Sequence, residues 1–441
     1  MRTMCRTVEL SLLPRRLCLI VMCLVVSFLQ ACAVTKVIQE EIAPPYEVHP
    51  ESRLERNRFP VVKGSDVIGR PAVIRLEKGD TLPDIARHFS LGINQLSKAN
   101  PGVDIWVPKA GERIVLPLRF ILPDAPRKGI VINLAAMRLF QYKKERTSLV
   151  VMTYPVGIGT AERPTPTGRM HVVRKVSRPV WYVPASIAED HRKKGDPLPD
   201  AVLPGPLNPL GEYALYLSKS TYLIHGTNKP SSIGLDATNG CLRLYPEDIE
   251  RLYENTPVKT TVCIVNQPYL VGQRNGIVYL EVHAPREAPD ADELEKMYAK
   301  LKKIEKSYGC TFDRARIEKV LAEARGIPVP IFEIDQNRWV EPTIEVRHPE
   351  KLYGRPEIPE IITGAWYVWA ADLDDKIEAL RTAAIINHQG PQIPARVLSK
   401  GKGYRVVAGP FKDAFEAQDA ARRLKFDLEI DGVLIEPAKG K

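Results

Sequence analysis

The sequence predicts a multidomain α+β protein: a small βααβ unit, a mainly-β central domain and a terminal βαββαβ unit. Three observations carry this. At 441 residues the chain exceeds what one hydrophobic core organises, so roughly two to four domains are expected. The apolar pattern changes character along the chain, with mixed strand and helix periods over 71–120 and 363–438 and strand signals over 126–267. Prolines, 38 in all, gather between these stretches, as at Pro44, Pro45 and Pro50 and again at Pro342, Pro349, Pro356 and Pro359. The apolar fraction of 44% is ordinary, so packed cores are feasible.

The first element is a leader, 1–31. Arg2, Arg6, Arg15 and Arg16 form a basic start, and Leu17 to Leu29 is a thirteen-residue apolar run, too short for a comfortable membrane span. It ends in Leu29-Gln30-Ala31-Cys32, which resembles a bacterial lipobox. The resemblance implies cleavage before Cys32, lipidation of that cysteine and, because Ala33 follows, sorting to an outer membrane. A plain signal peptide is the alternative. Residues 32–70 mix charges and prolines and read as an extended tether.

Residues 71–120 hold the small unit. Val73-Ile74-Arg75-Leu76 reads as a strand, Asp80 or Thr81 as a helix cap, and Leu82, Ile85, Ala86 and Phe89 as one helical face. Ile93, Leu96 and Ala99 mark a second helix closed by Asn100-Pro101-Gly102, and Ile114-Val115-Leu116 a closing strand. With Lys78-Gly79-Asp80-Thr81-Leu82 and Asn100-Pro101, this order resembles a LysM module, a family that binds N-acetylglucosamine-containing glycans. An unrelated helical cap on the next domain is the alternative.

The central domain, 126–267, carries the chemistry. Strand signals recur at Ile130 to Leu134, Arg138 to Tyr142, Leu149 to Met152 and Tyr154 to Gly157. His225 and Cys241 stand sixteen residues apart. A free thiol is mostly protonated at neutral pH, and an imidazole within reach can take its proton and make a nucleophile. Gly240 permits close approach of a substrate, and the N–H groups of Gly240 and Cys241 are candidate oxyanion donors, worth roughly 3–4 kcal/mol in such sites. Arg243 offers a forked donor to a substrate carboxylate, with a structural ion pair as its alternative.

The run His225-Gly226 … Thr238-Asn239-Gly240-Cys241-Leu242-Arg243 resembles the L,D-transpeptidase (YkuD) catalytic domain. That family has a histidine, a gap, then Ser/Thr-His-Gly-Cys and Arg or Asn. Asn239 departs from it, standing where most members have a second histidine. Arg163-Pro164-Thr165-Pro166-Thr167-Gly168 and Gly205 to Gly211 resemble further loops of the family. The resemblance implies catalysis by Cys241 and His225, with Thr238 orienting the imidazole and Gly240 at the oxyanion site. Arg243, Gly226 and Asn239 are the substrate-binding candidates.

Residues 268–340 read as a helical extension with one strand (Gly276 to Val282) and two amphipathic helices, and 341–362 as a linker. Residues 363–438 alternate strand, helix, two strands, helix and strand. With Tyr404-Arg405-Val406-Val407-Ala408-Gly409-Pro410-Phe411 they resemble a SPOR domain, a family that binds septal glycan strands stripped of their peptides. RNA-recognition folds share the topology, but the aromatic pair those folds place on central strands is missing. The net charge of +10 comes with no nucleic-acid motif and suits an anionic cell wall or lipid surface.

Seven cysteines are present. Cys5, Cys18 and Cys23 leave with the leader, and Cys32 would be acylated. The odd remainder, Cys241, Cys263 and Cys310, argues against a disulfide framework, although a Cys263–Cys310 bridge stays open. The eight histidines show no ligand spacing, so no metal or other cofactor is expected.

These resemblances imply a peptidoglycan L,D-transpeptidase, lipid-anchored to the outer membrane on the periplasmic side and enriched at the septum. Its partners would be stem peptides and glycan strands, not nucleic acid, and its acceptor a second stem or a small lipoprotein. The alternatives are a hydrolase with the same thiol and a non-catalytic tether between outer membrane and wall.

Overall fold

The computed structural model describes residues 48–51, 54–285, 291–333 and 343–437. The leader and Cys32 lie outside the described residues. At the centre is a nine-stranded sheet. Its strands run in the order Leu242–Arg243, Leu223–His225, Tyr213–Leu217, Gly168–Ser177, Thr261–Val265, Gly129–Asn133, Arg138–Glu145, Ser148–Pro155 and Arg58–Val61. Successive side chains alternate faces, so the continuous apolar runs fill two cores at once. Val131, Phe140 and Val151 enter one core, while Ile130, Ile132, Leu139 and Tyr154 enter the other. Cys263 lies half-buried against the first core, between Val262 and Ile264 of the second.

The βααβ unit supplies the lid of the first core. Ala72–Arg75 pairs antiparallel with Arg113–Leu116, and the helices Leu82–His88 and Ile93–Ala99 lie between them in sequence. Thr81 caps the first helix by accepting from Asp84 N and donating to its carboxylate at 2.8 Å. Phe89, Leu91 and Leu96 share a core with sheet residues, so this unit is fused to the sheet. Arg138, fully buried, donates to Thr153 Oγ1, Ser90 O and Gln95 Oε1 and lies over the Phe120 ring at 4.1 Å.

Three readings of the sequence are corrected here. Residues 32–70 are not tether throughout: Arg58–Val61 is the edge strand of the central sheet, and Val67–Gly69 pairs with Arg119–Ile121. Phe59, Val67 and Ile68 are buried, but each stands in a run too short and too mixed with charge to show as a strand. Residues 341–362 are not only linker, because Ile344–Val346 inserts in parallel between Val48–His49 and Ala72–Arg75, burying Ile344 and Val346. Residues 268–340 are not simply helical either. Tyr269–Arg274, Ile277–Val282 and Val329–Glu333 form a sheet under the helices Ala291–Tyr308 and Arg314–Glu323. Asn275 and Gly276, both with positive φ, close its hairpin.

The C-terminal domain has the expected order, with strands arranged Ala395–Lys400, Gly403–Phe411, Trp366–Leu373 and Val433–Ile435 and helices Lys376–Asn387 and Ala414–Leu428. Asp375 and Asp413 cap those helices. His388, just past the first, makes a 3.1 Å contact with Asp84 of the βααβ unit and packs at a tilt against the Trp106 ring, 5.3 Å between centroids. All three described cysteines are free, so Cys263 and Cys310 are not bridged.

Helix Pro246–Glu254 follows the cysteine and buries Ile249 and Leu252 under the sheet. Asp248 is buried with it, and neither carboxylate oxygen has a hydrogen-bond partner among the described residues. Burial raises its pKa to about 7, with the nearby Glu247 adding to the shift. The folded state therefore prefers the protonated acid. Well below pH 4 the group is neutral folded or unfolded, and stability falls as pH rises from about 3 to about 7. Asp248→Asn should raise the unfolding free energy by about 1–3 kcal/mol more at pH 8 than at pH 3. Equal effects at both pH values in urea titrations would refute this. Phe59→Ala should cost about 3–5 kcal/mol in the same measurement, whereas a loss below about 1 kcal/mol would mean the strand is not docked.

Candidate active site

The strand Leu223–His225 pairs in parallel with Leu242–Arg243, setting Ile224 opposite Leu242 and His225 opposite Arg243. Ile224 and Leu242 are fully buried in the second core. Alternation then turns His225, Arg243 and Cys241 to the other face. Cys241 precedes its strand by one residue, so it sits on the neighbouring strand two residues out of level with His225. The Cys241 thiol lies 3.8 Å from Thr221 O, just before the strand that carries His225.

His225 is buried, 4% exposed. Its Nδ1 lies 2.7 Å from Gly226 O. A carbonyl only accepts, so Nδ1 carries the proton and Nε2 keeps the basic lone pair. Burial, and then the charge of Arg243, depress this imidazole to about 3, against the opposing main-chain bonds to Gly226 and Leu210. Burial pushes the Cys241 thiol up, partly offset by a main-chain bond from Leu223 and by Arg243. The resting pair is therefore neutral thiol and neutral imidazole, not a preformed ion pair, because burial penalises both ions. Arg243 donates from Nη1 to Ser232 Oγ at 3.1 Å, and its buried Nε has no partner among the described residues.

The loop before the cysteine is held by two threonines. Thr238 Oγ1 donates to Cys241 O at 2.6 Å and accepts from Gly240 N at 3.2 Å. Thr165 Oγ1 donates to Gly240 O and accepts from Gly159 N, both at 2.9 Å. Gly240 has φ +97°, and a Cβ there would lie 2.8 Å from the Tyr222 ring. Only glycine fits.

Several expected roles change. Thr238 makes no hydrogen bond to the imidazole; its hydroxyl closes a local turn onto Cys241, and the Gly226 carbonyl orients the ring instead. Gly226 thus lends its carbonyl to the His225 ring, and a Cβ on it would lie tightly, 3.1 Å from Ile249 Cγ2 and 3.2 Å from Leu210 O. The Gly240 N–H is spent on Thr238, which removes it from the oxyanion donors. Asn239 is exposed, accepting from Arg163 Nη1 at 2.6 Å, while Arg163 Nη2 reaches Asp190 on the helix Ala185–Lys193. Ser232 carries no signal in the sequence, whereas Thr165 and Arg163 both lie in the Arg163–Gly168 loop that resembles one of the family's.

Residues 127–264 match the model of the L,D-transpeptidase catalytic domain, and residues 363–436 match that of the SPOR domain. The probable L,D-transpeptidase ErfK/SrfK of Salmonella typhimurium (strain LT2) is 36% identical over 277 residues, 61% of this chain and 89% of that relative. The chain belongs to the L,D-transpeptidase family. It is an enzyme of that family with a C-terminal SPOR domain. Two other relatives, both from Escherichia coli K12, agree. The probable L,D-transpeptidase YbiS is 40% identical over 232 residues, covering 52% of this chain and 75% of its own. The probable L,D-transpeptidase YcfS is 36% identical over 276 residues, covering 61% and 86%.

In this L,D-transpeptidase, a thiol held high and an imidazole held near 3 both stay neutral between about pH 4 and pH 8. Alkylation of Cys241 by iodoacetamide, read by peptide mass spectrometry, should then rise about tenfold per pH unit from 6 to 8. A plateau in that range would reveal a thiolate already formed.

Proposed function

We propose that this L,D-transpeptidase acts on the tetrapeptide stems of peptidoglycan with Cys241 as nucleophile and His225 as base. The observation that carries the reading is the parallel register that turns His225, Cys241 and Arg243 to one face, with Nδ1 of His225 tied to a main-chain carbonyl. The thiol sulfur attacks the carbonyl joining the third stem residue to the terminal D-residue. Since neither ion is favoured at rest, the thiol proton passes to His225 Nε2 as the carbon–sulfur bond forms. Collapse of the tetrahedral intermediate breaks the C–N bond, and His225 returns the proton to the leaving amine. The D-amino acid departs and a thioester remains. An acceptor amine then attacks, giving its proton to His225, and the released thiolate is reprotonated. Arg243 stabilises the developing thiolate through space, as its downward pull on the thiol indicates.

The remaining parts read as address. The βααβ unit, which resembles LysM, and the SPOR domain would each hold glycan, and a lipid on Cys32 would fix the chain to the outer membrane. Two modules on one tethered chain raise the local concentration of enzyme at the wall. Septal enrichment follows from the glycan preference of SPOR domains.

The test is mass spectrometry of muropeptides after sacculi or tetrapeptide muropeptides are incubated with the protein and with Cys241→Ala. Cys241-dependent loss of the terminal D-residue with new 3–3 dimers is expected. The same loss with only tripeptides would make water, or a lipoprotein missing from the reaction, the acceptor. No change with either protein would overturn the catalytic reading in favour of a tether.

A further inference from the structure

We propose that Thr165 is a positioning residue that aims the Cys241 N–H as the oxyanion donor. The inference rests on Cys241 being the nucleophile. Around the Gly240–Cys241 peptide, every main-chain polar group but one is engaged. Gly240 N donates to Thr238 Oγ1, Cys241 O accepts from Thr238, and Gly240 O accepts from Thr165. The Cys241 N–H alone has no acceptor among the described residues.

The Gly240–Cys241 peptide is trans, so its N–H points opposite to its C=O. Fixing the carbonyl therefore fixes the N–H. Thr165 does this from a different segment: it is 4% exposed, and its one hydroxyl is used twice, accepting from Gly159 and donating to Gly240. Gly159 is pressed so closely on the loop that a Cβ there would come within 2.8 Å of Gly240 Cα. Pro164 and Pro166 on either side restrict the backbone that presents the hydroxyl. Without that bond the positive-φ glycine loses the one hydrogen bond that fixes its carbonyl, and its peptide plane is freer to rotate. An N–H aimed before the substrate arrives needs no reorganisation as negative charge develops on the carbonyl oxygen.

The prediction separates attack on a carbonyl from attack on a saturated carbon. Acylation by a disaccharide-tetrapeptide needs an oxyanion donor, whereas alkylation by iodoacetamide does not. In the full chain, Thr165→Val should lower kcat/KM for loss of the terminal D-residue by about 10²-fold. Cys241 alkylation and its pH profile should stay within about threefold of the unaltered protein. Thr165→Ser, which keeps the hydroxyl, should retain acylation within about threefold. A Thr165→Val enzyme of normal kcat/KM overturns the proposal, as does a fall in alkylation that matches the fall in acylation. Should Thr165→Val not fold, a tenfold or greater loss in Thr165→Ser, or a Cys241 amide strongly protected from hydrogen exchange in the unaltered protein, would overturn it equally. Turnover surviving in Cys241→Ala would instead sink the nucleophile itself.

Discussion

The parallel pairing of Leu223–His225 with Leu242–Arg243 is the constraint on which the site depends. Parallel strands cannot be joined by a tight turn, because the chain must travel back before it can run alongside itself. The sixteen-residue interval between His225 and Cys241 is that return path. What reads in sequence as a motif spacing is in structure the length of a crossover. Its ends are fixed by burial: Ile224 and Leu242 lie in the core, so a shift of one residue in either strand would turn the imidazole or the thiol inward.

A crossover whose only regular elements are the 3-10 turn Pro230–Ser232 and the short strand Asp236–Thr238 needs outside support, and it draws this from several parts of the chain. Asp236–Thr238 pairs with Ile158–Gly159, and Ser232 holds Arg243. From the βααβ unit, Ile93 N donates to Ile233 O at 3.1 Å, and Gly92 packs on Gly234 with no space for a Cβ on either. From the SPOR domain, His388 O accepts from Ser231 Oγ at 3.0 Å, and Asp427 pairs with Lys229 at 3.0 Å. The ion pair is exposed and contributes little by itself. Together these contacts place the βααβ unit and the SPOR domain directly on the segment that joins His225 to Cys241.

What could be read from the sequence was what is local. The helix cap at Thr81, the strand signal from Ile130 to Leu134 and the order of the C-terminal domain all follow from neighbours in the chain. Cys241 differs from Cys263 in the same local way, since only Cys241 follows a glycine sixteen residues after a histidine. What failed to show was non-local. Phe59 is a core residue because Val151 lies opposite it, far along the chain, and Ile344 because Ala72 does. The role given to Thr238 failed for a related reason. Family logic supplied a hydroxyl for the imidazole, but a carbonyl one residue away from His225 had already taken that place.

That carbonyl also bears on Asn239, the one departure from the family pattern. A side chain that oriented the imidazole would make the base sensitive to substitution. Here the tautomer is set by the main chain of Gly226, which no side-chain change can delete. Position 239 is exposed and bonded outward to Arg163, away from the buried ring. Its side chain can vary without altering which nitrogen accepts the proton. What it can alter is the anchoring of the cysteine loop to the helix Ala185–Lys193 through Arg163 and Asp190. Asparagine, a neutral acceptor for the guanidinium, keeps that anchor without adding another cation beside Arg163, where a protonated histidine would repel it. The departure thus belongs with the rim of the site, and the proton chemistry is left to groups the backbone holds in place.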